Sequence, residues 1–178
     1  SNTGHWEVYH GANTSAPATE HLRLSAQTAT EDSNSYWNDT DPTSTVFSLG
    51  DHVNVNENSN NYVAYCFAEV EGYSKFGAYT GNDATDGTFI YTGFRPAWVM
   101  IRHTSGTAGG TKNWIMYDNV RSPLNVNDNT LFADASDAES ADSSFDIDLL
   151  SNGFKLRNAE GPINNAAQYV YMAFADQP

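Results

Sequence analysis

The chain has 178 residues and a net charge of −14, with eight Lys and Arg against 22 Asp and Glu. The cations stand singly, which excludes the clustered charge that a phosphate backbone requires and disfavours an anionic membrane surface. No apolar run approaches the roughly 20 residues of a membrane span, and no leader peptide is visible.

The length suits one large or two small domains. Aromatic residues at 13% among abundant Asn, Ser, Thr, Asp and Gly suit short strands joined by polar turns. In chain order, strands are expected at 6–10, 45–49, 62–69, 76–80, 88–91, 98–103, 114–118, 145–149, 153–157 and 169–175. The longest apolar run, 61–71 (NYVAYCFAEVE), has the character of a strand covered on both faces. It contains Cys66, which reads as a small buried hydrophobe; as the single cysteine it excludes an internal disulfide. Pro96 stands just ahead of the strand at 98–103, and a Gly/Thr/Ser-rich turn follows that strand. Residues 134–142 contain helix formers without an apolar stripe, enough for one turn at most.

The run at 61–71 returns at 168–176 (QYVYMAFAD). Tyr62-Val63 answers Tyr169-Val170, and Phe67-Ala68-Glu69 answers Phe174-Ala175-Asp176. Upstream, His5–Tyr9 answers Asn113–Tyr117, Val46–Leu49 answers Gly153–Leu156, and Val55-Asn56 answers Ile163-Asn164. The spacing is about 107 residues throughout, so an internal repeat is expected. Nothing ahead of Trp6 answers residues 75–112. The chain thus reads as the rear part of one unit (1–74) followed by a complete unit (75–178). Many short strands between turns predict an all-β antiparallel sandwich.

The order YTGN, GFRPAWVMIRH, NWIMYD, LLSNGFKL and YVYMAFA, preceded by TSTVFSLG and NYVAYCFAEVEGYSKFGAYTGN, resembles tandem lectin-like units of concanavalin A or laminin-G jelly-roll type. Such units occur in tail-fibre and other virion proteins of marine bacteriophages, and the likeness covers nearly the whole chain. It implies a jelly-roll sandwich in a virion appendage, extracellular and non-enzymatic. The partners it implies are a homo-oligomer (a trimer first), other virion proteins, or host-surface glycans held by many weak contacts. It carries over no catalytic or sugar-contacting residue. The open edge of the first unit calls for a strand from upstream sequence or a neighbouring chain.

Four residues are candidates for ligand contact. Trp37, with Tyr36, Asn38 and Asp41 around it, has the makings of a sugar-stacking platform, although its alignment near Phe145 favours packing. Tyr73, in a loop-like GYSK segment without an echo, is free for contact. Trp6 and Trp114 answer each other and read as structural. Glu69 and Glu71 share one face of a strand, the alternation used by some jelly-roll glycosidases, but the third carboxylate of that pattern is missing. The turn Asn82–Gly87 offers Asp83 and Asp86 as hard oxygen ligands for Ca²⁺, and is equally explained as a plain turn. No other cofactor is expected. The five histidines have no metal spacing, and no nucleophile or phosphate-loop motif occurs. A carbohydrate-binding module of a secreted enzyme, and a glycosidase using Glu69 and Glu71, stand as alternatives.

Overall fold

Short β-branched and aromatic runs punctuated by Asn, Asp and Gly become strands and little else. The computed structural model describes residues 4–105, 112–159 and 161–177; the expected Gly/Thr/Ser-rich turn falls mainly on 106–111, outside them. In chain order the described strands are β1 (Glu7–Val8), β2 (Glu20–Arg23), β3 (Glu31–Asp32), β4 (Ser74–Thr80), β5 (Phe89–Tyr91), β6 (Trp98–His103), β7 (Trp114–Asp118), β8 (Asn129–Phe132), β9 (Ser140–Ala141), β10 (Ile147–Leu150), β11 (Gly153–Leu156) and β12 (Gln168–Phe174). One-turn helices α1 (Asn34–Trp37) and α2 (Val53–Asn56) complete the first half.

All pairings are antiparallel. A six-stranded sheet runs β4-β12-β6-β7-β8-β9, and β10-β11-β5 faces it. β12 lies in the interior of the larger sheet, with Tyr171 opposite Gly77 on one side and Ile101 on the other. Inward-pointing Val99, Ile101, Ile115, Tyr169 and Tyr171 meet Ile147, Leu149, Phe154 and Leu156 in one core. Each such side chain contributes about 1.5–3 kcal/mol on burial. Gly77 is required because a Cβ there would stand 2.8 Å from the Tyr171 ring. The chain is an all-β antiparallel sandwich.

The opposite face of the six-stranded sheet is also apolar, and the N-terminal segment covers it. Leu22, fully buried, packs with Val8 and Leu24 on Met100, Trp114 and Val170. Trp114 Nε1 donates to the Arg23 carbonyl at 2.8 Å. Arg102, also fully buried, donates to the carbonyls of Ala26 and Thr28 and lies 5.4 Å from the Trp114 ring centroid. Burial pushes its pKa down to about 10, so even this guanidinium stays charged near neutrality.

The third sheet, β1-β2-β3, has the register of the far end of the large one. Glu7 pairs Arg23 and Val8 pairs Leu22, as Ile115 pairs Phe132 and Met116 pairs Leu131. Glu20 pairs Asp32 and His21 pairs Glu31, as Asn129 pairs Ala141 and Thr130 pairs Ser140.

Several expectations are corrected. Residues 62–69 form no strand and are exposed throughout, and Cys66 is an exposed thiol instead of a buried hydrophobe. Residues 45–49 likewise form no strand, and Phe47 and Leu49 are exposed. The physical reason is the same for both. β12 and β11 have apolar sequences like theirs and hydrogen-bonded neighbours on both edges, whereas among the described residues these segments have no strand beside them. The strand expected at 6–10 shrinks to β1, and Trp6 is half exposed although Trp114 is buried. Phe145 belongs to a one-turn 3-10 helix ahead of β10. Residues 134–142 contain no helix, within the expectation of one turn at most, and lead into β9.

Leu22→Ala is expected to cost about 2–5 kcal/mol, the range for emptying a fully buried leucine site. In a chain of this size that lowers Tm by about 2–4 °C per kcal/mol, to be read by thermal unfolding followed by circular dichroism.

Candidate interaction surface

The strip 62–70 is held at both ends and free between them. At its start the Tyr62 hydroxyl donates to the Val53 carbonyl at 2.6 Å and accepts from the Glu57 amide at 2.8 Å. At its end, Val70 and Ser74 form an antiparallel bridge, and the Ser74 hydroxyl donates to the Ala68 carbonyl at 2.9 Å. Glu69 accepts from Lys75 Nζ at 2.8 Å and from the Phe76 amide at 3.2 Å. Among the described residues, 63–67 make no backbone hydrogen bond. Their donors and acceptors face solvent, the condition that invites β-addition.

The side chains are as open as the backbone. Val63 is 67%, Tyr65 72% and Phe67 60% exposed. Tyr65 leans towards Trp6 at 6.0 Å, and Phe67 reaches Phe76 and Phe174 at 6.3 and 5.9 Å. Trp98 and Tyr73 also meet Phe174. Val63, Tyr65 and Phe67, with the half-buried rings beside them, make an exposed apolar surface of the kind that marks a protein interface.

The residues singled out from sequence are distributed differently. Trp37 is buried: its Nε1 donates to the Glu20 carbonyl at 3.0 Å, and Tyr9 packs edge-on at 6.1 Å. It therefore offers no face for stacking, and packing, the reading favoured by its alignment near Phe145, is what the structure has. Asn38 follows it in the left-handed region (φ 53°), where it caps α1. Asp41 is exposed and accepts from the Tyr9 hydroxyl at 3.1 Å; partial burial, and then this carboxylate, push the Tyr9 pKa up to about 12. Tyr73 does not join them; it lies in the turn before β4, half buried against Phe174.

The oxygens of the Asn82–Gly87 turn serve the fold. Asp83 Oδ1 accepts from the Ala166 amide at 3.0 Å, and Asp86 pairs with Lys155 at 2.6 Å. Among the described residues no group of three or more His, Cys, Asp or Glu converges on one point. Burial raises the Glu69 pKa, but the Lys75 ammonium and the Phe76 amide together outweigh it and hold the carboxyl below its usual range. A general acid needs the reverse shift. Glu71 is exposed beside it.

Two features were not legible in the sequence. The first is a buried polar cluster between β1-β2-β3 and α1. Arg23 grips Glu31 through two bonds of 2.7 and 3.0 Å, and Glu7, with its side chain 1% exposed, lies 3.6 Å from both Arg23 and His21. His21 stacks on Tyr36 at 3.7 Å, and Tyr36 on His52 at 4.3 Å. The second is an open depression of about 360 Å³ lined by Asn13, Thr30, Thr104, Ser105 and Gln168 with neighbouring small residues. Both draw residues from distant positions, which no local spacing reveals.

Residues 1–178 match a domain of unknown function, DUF7483, over their whole length. The chain belongs to the DUF7483 family. No curated protein and no solved structure matches it. The DUF7483 fold therefore has to be read for function through its own surfaces.

Burial lowers the pKa of His10, His21 and His103 from the ordinary 6.5. Their folded-state values lie below the unfolded one, so protonation is linked to unfolding. This part of the stability is complete above the unfolded pKa of about 6.5 and is lost progressively as pH falls from there through the lower folded-state values. The urea midpoint is expected to be lower at pH 5.5 than at 7.5, and His21→Gln to reduce the difference.

Proposed function

We propose that this DUF7483 chain is a non-enzymatic structural module of a multi-unit virion appendage, a tail fibre or surface fibre, that assembles through its exposed apolar strip. The observation that carries the reading is the strip itself, with pinned ends, an unpaired backbone and uncovered aromatic side chains. A soluble chain with so acidic a surface leaves few large apolar groups in water without a partner for them. The resemblance to tandem lectin-like units points to the same setting, in which many copies lie side by side.

The test is light scattering of the 178-residue chain over a range of concentrations. The mass is expected to rise above the 19.5 kDa monomer with concentration, and a Tyr65→Ser, Phe67→Ser double variant is expected to stay monomeric with an unchanged far-ultraviolet spectrum. A wild-type chain that stays monomeric throughout sinks the assembly reading.

A second reading, weak binding of a neutral host-surface glycan, is favoured by the depression beside Asn13. Its polar lining consists of amides and hydroxyls without a charge, which suits a ligand that offers hydroxyls. Retention on a glycan array that is lost in Asn13→Ala and Gln168→Ala supports it. No retention by any neutral glycan removes it.

A further inference from the structure

We infer that the strip 62–69 is the vacant central strand of a second sandwich, and that its occupant is a front half-unit supplying one strand like β4 and one like β6. The inference rests on the assembly reading above and names the partner.

The equivalence of 62–69 with β12 stands on bonds as well as sequence. Beyond the shared register of β1-β2-β3 and β7-β8-β9, the flanking backbone contacts recur. The Leu24 amide donates to the Trp6 carbonyl at 2.8 Å, as Ala133 does to Trp114 at 2.9 Å. The Trp6 amide donates to the Ser25 hydroxyl, as the Trp114 amide does to the Asp134 carboxylate. Each sheet then leads into a single helical turn capped by a side chain, Ser33 accepting from the Ser35 amide and Asp142 from the Ser144 amide. Nearest the strip, Asn56 Nδ2 donates to the Gly50 carbonyl at 2.8 Å, as Asn164 Nδ2 does to Asn158 at 2.7 Å. The Glu57 amide donates to the Tyr62 hydroxyl, as the Asn165 amide does to the Tyr169 hydroxyl. These contacts share one order and about one spacing, so Tyr62 occupies the place of Tyr169.

What the first set lacks identifies the occupant. β12 is flanked by β4 and β6, and β6 is flanked in turn by β7. Among the described residues the strip has neither neighbour. Among the described residues β1, the counterpart of β7, is the end strand of its sheet and pairs with β2 alone, which leaves open the edge where a β6 would lie. Cys66 stands where fully buried Ala173 stands, and exposed Val63 where fully buried Val170 stands. Asn164 also bonds the turn after β4: it donates to Asn82 Oδ1 at 3.0 Å and the Ala84 carbonyl at 2.9 Å, and accepts from the Asn82 amide at 3.1 Å. Asn56 is exposed and in position to receive the same turn from a partner. The occupant is therefore a polypeptide with the pattern of residues 74–103: an edge strand, an Asn-Asp-Ala turn, and an apolar strand ending in Arg-His.

The experiment joins a copy of residues 74–112 ahead of His5, producing an extended chain in which the vacant strand has its neighbours in register. The readout is the rate at which Cys66 reacts with a thiol reagent in dilute solution, alongside the mass. The unextended chain is expected to react at a rate within about tenfold of the unfolded one. The extended chain is expected to be monomeric and to react about 100-fold more slowly, as befits a residue released only by opening of a core strand, and Asn56→Ala is expected to restore part of the reactivity. A folded extended chain whose Cys66 reacts as fast as before overturns the inference. If the extended chain does not fold, titration of the 178-residue chain with a synthetic peptide of residues 74–105 decides: saturable protection supports the inference, and no protection overturns it. If Cys66 is protected only in step with a rise in mass, with or without the extension, a second copy fills the strip. The front half-unit is then wrong while the assembly reading stands.

Discussion

A strand that is apolar on both faces and unpaired on both edges is expensive to leave in water. It needs hydrogen-bonded neighbours to either side and a layer above and below. β12 meets all four demands: β4 and β6 hold its edges, the β10-β11-β5 layer covers one face, and the N-terminal segment covers the other. The remainder of the sandwich is arranged around that strand. The strip at 62–70 has the same composition and is pinned at its ends without those neighbours, and this contrast organises the functional reading.

The second half was legible because its strands alternate and its turns carry Asn, Asp and Gly. β4, β5, β6, β7, β11 and β12 fall within a residue or two of expectation. The first half was less legible for two different reasons. β2 and β3, with sequences EHLR and ED, have no strand pattern of their own; they form because β1 offers an edge and Leu22 has an apolar surface to enter. The strip has the pattern and no strand, because composition records a segment's demand for neighbours and not their supply. Trp37 was legible as a packing residue through its alignment near Phe145, but its neighbours were not. That Tyr9 and Val55 enclose it depends on contacts across the sequence. Cys66 was misread for the same reason as the strip around it.

The polar cluster changes the interior of the first half. Glu7 and Arg23 pair across β1 and β2 as Ile115 and Phe132 do across β7 and β8. An ion pair thus replaces two core hydrophobes. Such a pair contributes little net stability, because desolvation offsets attraction. It does, however, tolerate water better than an isoleucine and a phenylalanine.

The seating of the first half on the sheet has a mechanical consequence. Leu22, Arg102 and Trp114 lock the N-terminal segment broadly across the back of the sandwich, and the link between strip and sheet is the tight turn from Val70 to Ser74. The two halves of the chain, joined in this way, cannot swivel about a tether, and their tilt changes only by deforming packed side chains.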